Sequence, residues 1–231
     1  MVPTQERVFK DWRTLPAYTV NDAAKLAGTT APTVRRWLLG NEIAPVFGKQ
    51  SGSADQPVEI SFLMLTEIVV AVKFRRSKIK LDTIRQAHQF ACEFFKVEHP
   101  FAFKEFEVLG GHVMHEFSIQ NGGPALYRAV DTAGMQPALP MPVLQRVHQL
   151  DFANEKTYAA RWFLLGREIP VVVDPRFAAG RPSIAGSGIR AKTILTRFFS
   201  VGESISALAE DFELDTDVVE LIIRNKEALA A

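Results

Sequence analysis

Residues 18–38, YTVNDAAKLAGTTAPTVRRWL, constrain the fold most, because signals for two short crossing helices follow one another there in order. Asn21 can accept a backbone N–H at a helix start, with Asp22 in the positively polarised first turn. Ala23, Ala24, Leu26 and Ala27 give a thin apolar face, narrow enough for a second helix to cross closely. Gly28 suits the left-handed residue that ends a helix. Thr30 opens the next helix, and Pro32 falls in its first turn, where a missing N–H costs little. Val34, Trp37 and Leu38 recur at helical spacing and face inward, which leaves Thr33, Arg35 and Arg36 outward. A helix-turn-helix has this form: its second helix enters the major groove of DNA and its first crosses the backbone. A plain helical hairpin with a solvated arginine pair would show the same spacing, so the residues that follow carry weight.

Residues 44–47 read as a strand, 48–56 as a polar turn and 58–60 as a returning strand, which together make a wing. Ser61 then caps a helix running to about Arg76, and residues 81–95 form another, with Ile84, Ala87, His88 and Ala91 on one face. This order, together with VEISFLMLTEIVVAVKFRRSKIKLDTIRQA, resembles the MerR-type winged helix-turn-helix domain. The wing is longer and less basic than that family's, with Lys49 its one cation, and Lys80 stands where the family tends to place a serine cap. The resemblance implies that Thr33, Arg35 and Arg36 contact double-stranded DNA from the recognition helix and Lys49 from the wing. Arginine there can lie bidentate on guanine or clamp phosphate.

Formal net charge is +1, so a basic surface overall is not the argument for nucleic acid. The local distribution says more. Lys73, Arg75, Arg76, Lys78, Lys80 and Arg85 face a single Asp82, whereas Glu210, Asp211, Glu213, Asp215, Asp217 and Glu220 have no basic residue among them. The first segment tolerates phosphates and the second does not. An apolar fraction of 47% excludes a disordered chain. The longest apolar stretch, 62–74, is interrupted by Thr66, Glu67 and Lys73 and is too short to span a membrane. With no signal peptide recognised and a single cysteine, Cys92, read as a small core residue, a reducing cytoplasm is expected.

Residues 98–117 alternate around Gly110-Gly111 and read as a tight hairpin, and 118–141 as a connector without regular structure. A short helix over 143–150 and a strand over 157–164 follow. The last sixty residues change character: a buried strand at 171–173, a glycine-rich loop carrying Arg176, Arg181 and Arg190, then helices over about 192–199, 204–212 and 215–226, with Ser204 and Asp215 as caps. The last two helices repeat the helix-turn-helix outline, but their acidic surface argues against phosphate contact. DP-x4-G-x-P, then GSGI, a helix, GES and a helix resemble a small domain of bacterial and archaeal proteins. Joined to a MerR-like N-terminal domain, and with HPFA at 99–102 and DF…ARW at 151–162, the pattern is similar to VapB-type antitoxins. That family usually has threonine and arginine before the isoleucine at 189; here Ser187 and Gly188 precede it and the arginine follows as Arg190.

The resemblance implies an antitoxin of a type II toxin–antitoxin system, which neutralises a PIN-type ribonuclease toxin and represses their shared promoter. PIN-type sites hold divalent metal on clustered carboxylates, so Arg176, Arg181, Arg190 or Lys192 could block one by burying a cation in it. The alternative is that these arginines only stabilise the glycine-rich loop.

No serine elbow, P-loop spacing, Cys–base pair or metal-ligand cluster is found; His112 and His115 would point to opposite faces of a strand. The chain is therefore read as a non-enzyme without cofactor or metal. The expected fold is α+β, mostly α: a DNA-binding domain over residues 1–97, a central hairpin and connector over 98–168, and a helical partner-binding domain over 169–231. A symmetric homodimer is expected, because one short recognition helix reads too few base pairs alone. The rivals are a stand-alone MerR-like regulator responding to a small ligand, and an interaction adaptor that has lost DNA binding.

Overall fold

The computed structural model describes residues 11–40, 44–47, 57–121, 128–130, 136–152 and 157–229. It is mostly helical with small antiparallel sheets, an α+β chain. After a strand β1 (Pro16–Tyr18) come α1 (Val20–Ala27) and α2 (Ala31–Leu39), which cross against each other. Gly28 ends α1 with φ of 67° and Thr30 caps α2, as the sequence predicts. The cap of α1 differs: it is Thr19, whose side chain accepts from Asp22 N while the Asp22 carboxylate accepts from Thr19 N. This capping box satisfies two orphan donors at once, which Asn21 alone would not.

The wing expected over 44–60 is not a hairpin of 44–47 with 58–60. Val46 N donates to Trp37 O at 2.7 Å, so that segment follows the end of α2 as irregular chain. Strand β2 (Ile60–Ser61) pairs instead with β1, Pro16 opposite Ser61 and Tyr18 opposite Ile60. The turn 48–56, with Lys49, lies outside the described residues.

Helix α3 (Phe62–Arg76) is the hub of the core. It is buried on nearly every face from Phe62 to Val72 and touches α1, α6 and the 3-10 turn Pro100–Ala102. A helix apolar all round needs neighbours on every side. Helix α4 (Leu81–Phe95) buries Ile84, Ala87, His88 and Ala91, and its first residue follows Lys80, which gives no side-chain cap.

Residues 98–117 do not form a hairpin. They enter helix α5 (Lys104–Asn121), and neither Gly110 nor Gly111 has positive φ. Phe106, Val113, Met114 and Phe117 are buried at helical spacing. Gly110 serves packing: a Cβ there would stand 3.1 Å from both Phe106 and Leu139. The glycine pair thus marks close approach rather than a turn. Residues 118–141 are not structureless either, since β3 (Arg128–Val130) and β4 (Gln136–Ala138) form an antiparallel pair against α5.

Helix α6 (Met141–His148) leads into a four-stranded antiparallel meander of β5 (Leu150–Phe152), β6 (Ala159–Phe163), β7 (Val171–Val173) and β8 (Ser183–Ile184). The β6–β7 ladder pairs Trp162 with Val173, so the sheet runs across residue 168. Helix α7 (Ala191–Thr196) continues into a π-helical turn, Arg197–Val201, followed by α8 (Ile205–Phe212), α9 (Thr216–Arg224) and α10 (Lys226–Leu229). Ser204 caps α8 through Ala207 N; Asp215 stands at the N-cap of α9 without a side-chain hydrogen bond. Helix α10 returns to α1, and one hydrophobic core runs from Tyr18 to Leu229. Among the described residues, no helix is long and apolar enough to cross a membrane.

Candidate nucleic-acid interface

Helix α2 is anchored by Val34, Trp37 and Leu38, all buried, as periodicity requires. Trp37 meets Phe47 edge-on at 6.3 Å between centroids. The flank of α2 formed by Thr33, Arg36 and the edge of Trp37 borders an open groove of about 610 Å³, lined also by Gly28, Arg75, Arg76 and Arg85. Thr33 also shares a hydroxyl contact of 2.9 Å with the capping Thr30. Arg36 is exposed; Arg35 is half-buried and does not line the groove.

Three further arginines come from the ends of α3 and α4. Arg76 Nη2 donates to Gly28 O at 2.8 Å, pinning the end of α3 to the turn between α1 and α2. Arg75 Nη1 donates to Ile79 O at 2.6 Å, and Arg85 Nε to Pro45 O at 3.1 Å. Among the described residues, Arg85 alone of the three also meets a carboxylate, Asp82, at 2.6 Å. Carbonyl acceptors fix the guanidinium groups without cancelling their charge. Among the described residues, no acidic side chain lines the groove. Such a surface favours a polyanion and should lose that preference as salt rises.

The sequence signal for Arg75, Arg76 and Arg85 was the basic run itself. That run could not show which of its cations share a groove with Arg36, because this depends on α3 and α4 packing beside α2.

Behind the groove lies a second cavity of about 710 Å³, bordered by Pro45, Phe47, Met64, His88, Cys92 and His99. His88 on its wall belongs to a buried ion pair. Glu67 Oε2 lies 2.6 Å from His88 Nε2, off the ring N–H direction, while Glu67 Oε1 accepts from Phe101 N at 3.0 Å. Burial opposes charge on His88, but the Glu67 carboxylate and contacts from Cys92 outweigh it and raise the imidazole pKa to about 10. Cys92 Sγ stands 3.7 Å from His88 Nδ1, so this cysteine borders a cavity as well as the core.

The four cations expected to face a partner are placed unequally. Arg176 pairs with Asp174 at 2.7 Å and lies over the Trp12 ring at 4.7 Å. Arg181 pairs with Asp22 of α1. Arg190 and Lys192 are exposed at the start of α7. His112 and His115 lie on helix α5 rather than on a strand, and His112 faces Glu116 at 3.8 Å. Among the described residues, no group of three His, Cys, Asp or Glu side chains could hold a metal ion.

No protein-family model matches the chain, and no curated protein does. Among solved structures, the crystal structure of Rv2018 from Mycobacterium tuberculosis is similar over 93% of this chain and 98% of its own, with a TM-score of 0.74 and 23% sequence identity. At that identity the likeness is one of fold, and it covers nearly the full length of both chains.

Proposed function

We propose that this chain is the antitoxin of a type II toxin–antitoxin pair: a MerR-like helix-turn-helix protein that binds operator DNA and neutralises a PIN-type ribonuclease. The observation that carries the DNA half is the groove beside α2, where Arg36, Arg75, Arg76 and Arg85 converge with no acidic side chain among the described lining residues. The toxin half rests on the sequence resemblance of the C-terminal module, in which Arg190 and Lys192 are exposed at the start of α7. The test is a mobility shift on duplex DNA from the protein's own promoter, combined with co-purification of the neighbouring gene product. A salt-sensitive shift and a bound ribonuclease are expected. Absence of binding at low salt would remove the DNA reading, and a neighbour that is neither bound nor inhibited would remove the antitoxin reading.

One observation favours a second reading, a MerR-like regulator responding to a small ligand. The cavity beside His88 and Cys92 is bordered by residues 44–47, which also join α2 to the wing segment. A ligand there would act on DNA affinity without any toxin, and a promoter shift modulated by a small molecule distinguishes the two.

A further inference from the structure

Arg146, on α6, is half-buried, and its Nε and Nη1 atoms are enclosed with no hydrogen-bond partner. Its guanidinium stacks on the Trp162 ring at 4.5 Å. Stacking engages the face of the group and leaves its in-plane N–H donors unanswered. Helix α6 packs against α3, and the neighbouring charges that act on Arg146 and on half-buried Lys73 are cationic: Arg76 on the first, Arg146 and Arg76 on the second. None of the ion pairs among the described residues includes Lys73, Arg76 or Arg146.

A buried guanidinium without acceptor or counter-charge is a costly arrangement, and proteins retain it where something supplies the missing charge. From this geometry we infer that Arg146, Lys73 and Arg76 form a site for a phosphate-type oxyanion between α3 and α6. The electrostatics agree. Burial, with the charge of Arg76, lowers Arg146 to about 10; burial, with Arg146 and Arg76, lowers Lys73 to about 8. An anion would restore both. The chemistry fits inorganic phosphate or a phosphodiester of bound DNA, since Arg76 also lines the groove beside α2. The inference stands without the DNA reading, which it needs only for the second of these sources.

The first experiment titrates inorganic phosphate into the full-length protein at constant ionic strength, following Tm and the 31P linewidth. A saturable rise of about 5 °C is expected once phosphate exceeds its Kd roughly a hundredfold. Arg146→Met should lose that rise and, without phosphate, melt no lower than the parent. Should that variant not fold, Lys73→Gln takes its place, with phosphate affinity weakened about tenfold. A phosphate response that is absent from the parent, or identical in parent and variant, overturns the site; the latter would be general exclusion of the ion from the protein surface. The second arm replaces phosphate with a duplex. Weaker duplex binding by the variant identifies a phosphodiester as the occupant, whereas unchanged duplex binding with lost phosphate binding identifies the free anion.

Discussion

Arg181, in the glycine-rich loop after β7, donates through Nη1 to Oδ1 of Asp22, 159 positions earlier in the chain. The other oxygen of that carboxylate accepts from Thr19 N in the capping box of α1. One side chain therefore both caps α1 and ties it to the loop after β7. An arginine offered to a partner from this loop would first have to leave Asp22.

Replacing Asp22 should be felt in both places. Asp22→Ala is expected to lose about 1 kcal/mol from the cap and up to about 1 kcal/mol from the partly exposed pair. Arg181→Ala should cost only the second part. Urea denaturation of both single variants and the double variant checks this; additive losses would mean that the pair contributes nothing.

Arg36→Ala should weaken duplex binding about tenfold or more, the loss expected for one good arginine contact. If its role is to read a base, the loss falls mainly on the operator. Arg75→Ala and Arg76→Ala should weaken all sequences alike and each lower the salt slope by about one unit. Affinity measured at several salt concentrations on operator and unrelated duplexes separates these roles.

The Glu67–His88 pair makes stability fall on the alkaline side. The folded pKa of His88, about 10, lies above its ordinary 6.5. Its contribution is complete below about pH 6.5 and is lost as pH rises through about 10. Glu67→Gln leaves the buried ring without its counter-charge and is expected to cost about 3–5 kcal/mol near neutral pH. The alkaline decline should flatten in that variant, as denaturant unfolding from pH 6 to 10 would reveal.

Gly180 has φ of 72°, and a Cβ there would stand 2.5 Å from the Tyr18 hydroxyl and 2.8 Å from its ring carbon Cζ. Tyr18 is itself buried under this loop. Gly180→Ala combines backbone strain with a clash and should lose about 2–4 kcal/mol. Gly186→Ala, with a similar φ of 83° but open space around it, should lose less. The difference between their melting temperatures isolates the clash from the strain.

Local chemistry in the sequence set much of this architecture. Thr30, Pro32 and Gly28 marked the ends of α1 and α2, and the Val34, Trp37 and Leu38 spacing chose the buried side of α2, because capping and 3.6-residue periodicity act within a few residues. Ser61 and Ser204 marked helix starts for the same reason. Long-range partners were not legible. Gly110-Gly111 has the composition of a turn, yet α5 runs through it because Phe106 and Leu139 fill the space left by an absent side chain. Strand β2 has a hairpin's sequence, yet it pairs with residues 16–18 across the fold. Likewise, packing of α3 and α4 selected Arg75, Arg76 and Arg85 for the groove, and the loop after β7 meeting the start of α1 gave Arg181 to Asp22. Such choices depend on which surfaces meet after collapse, and no single segment carries that information.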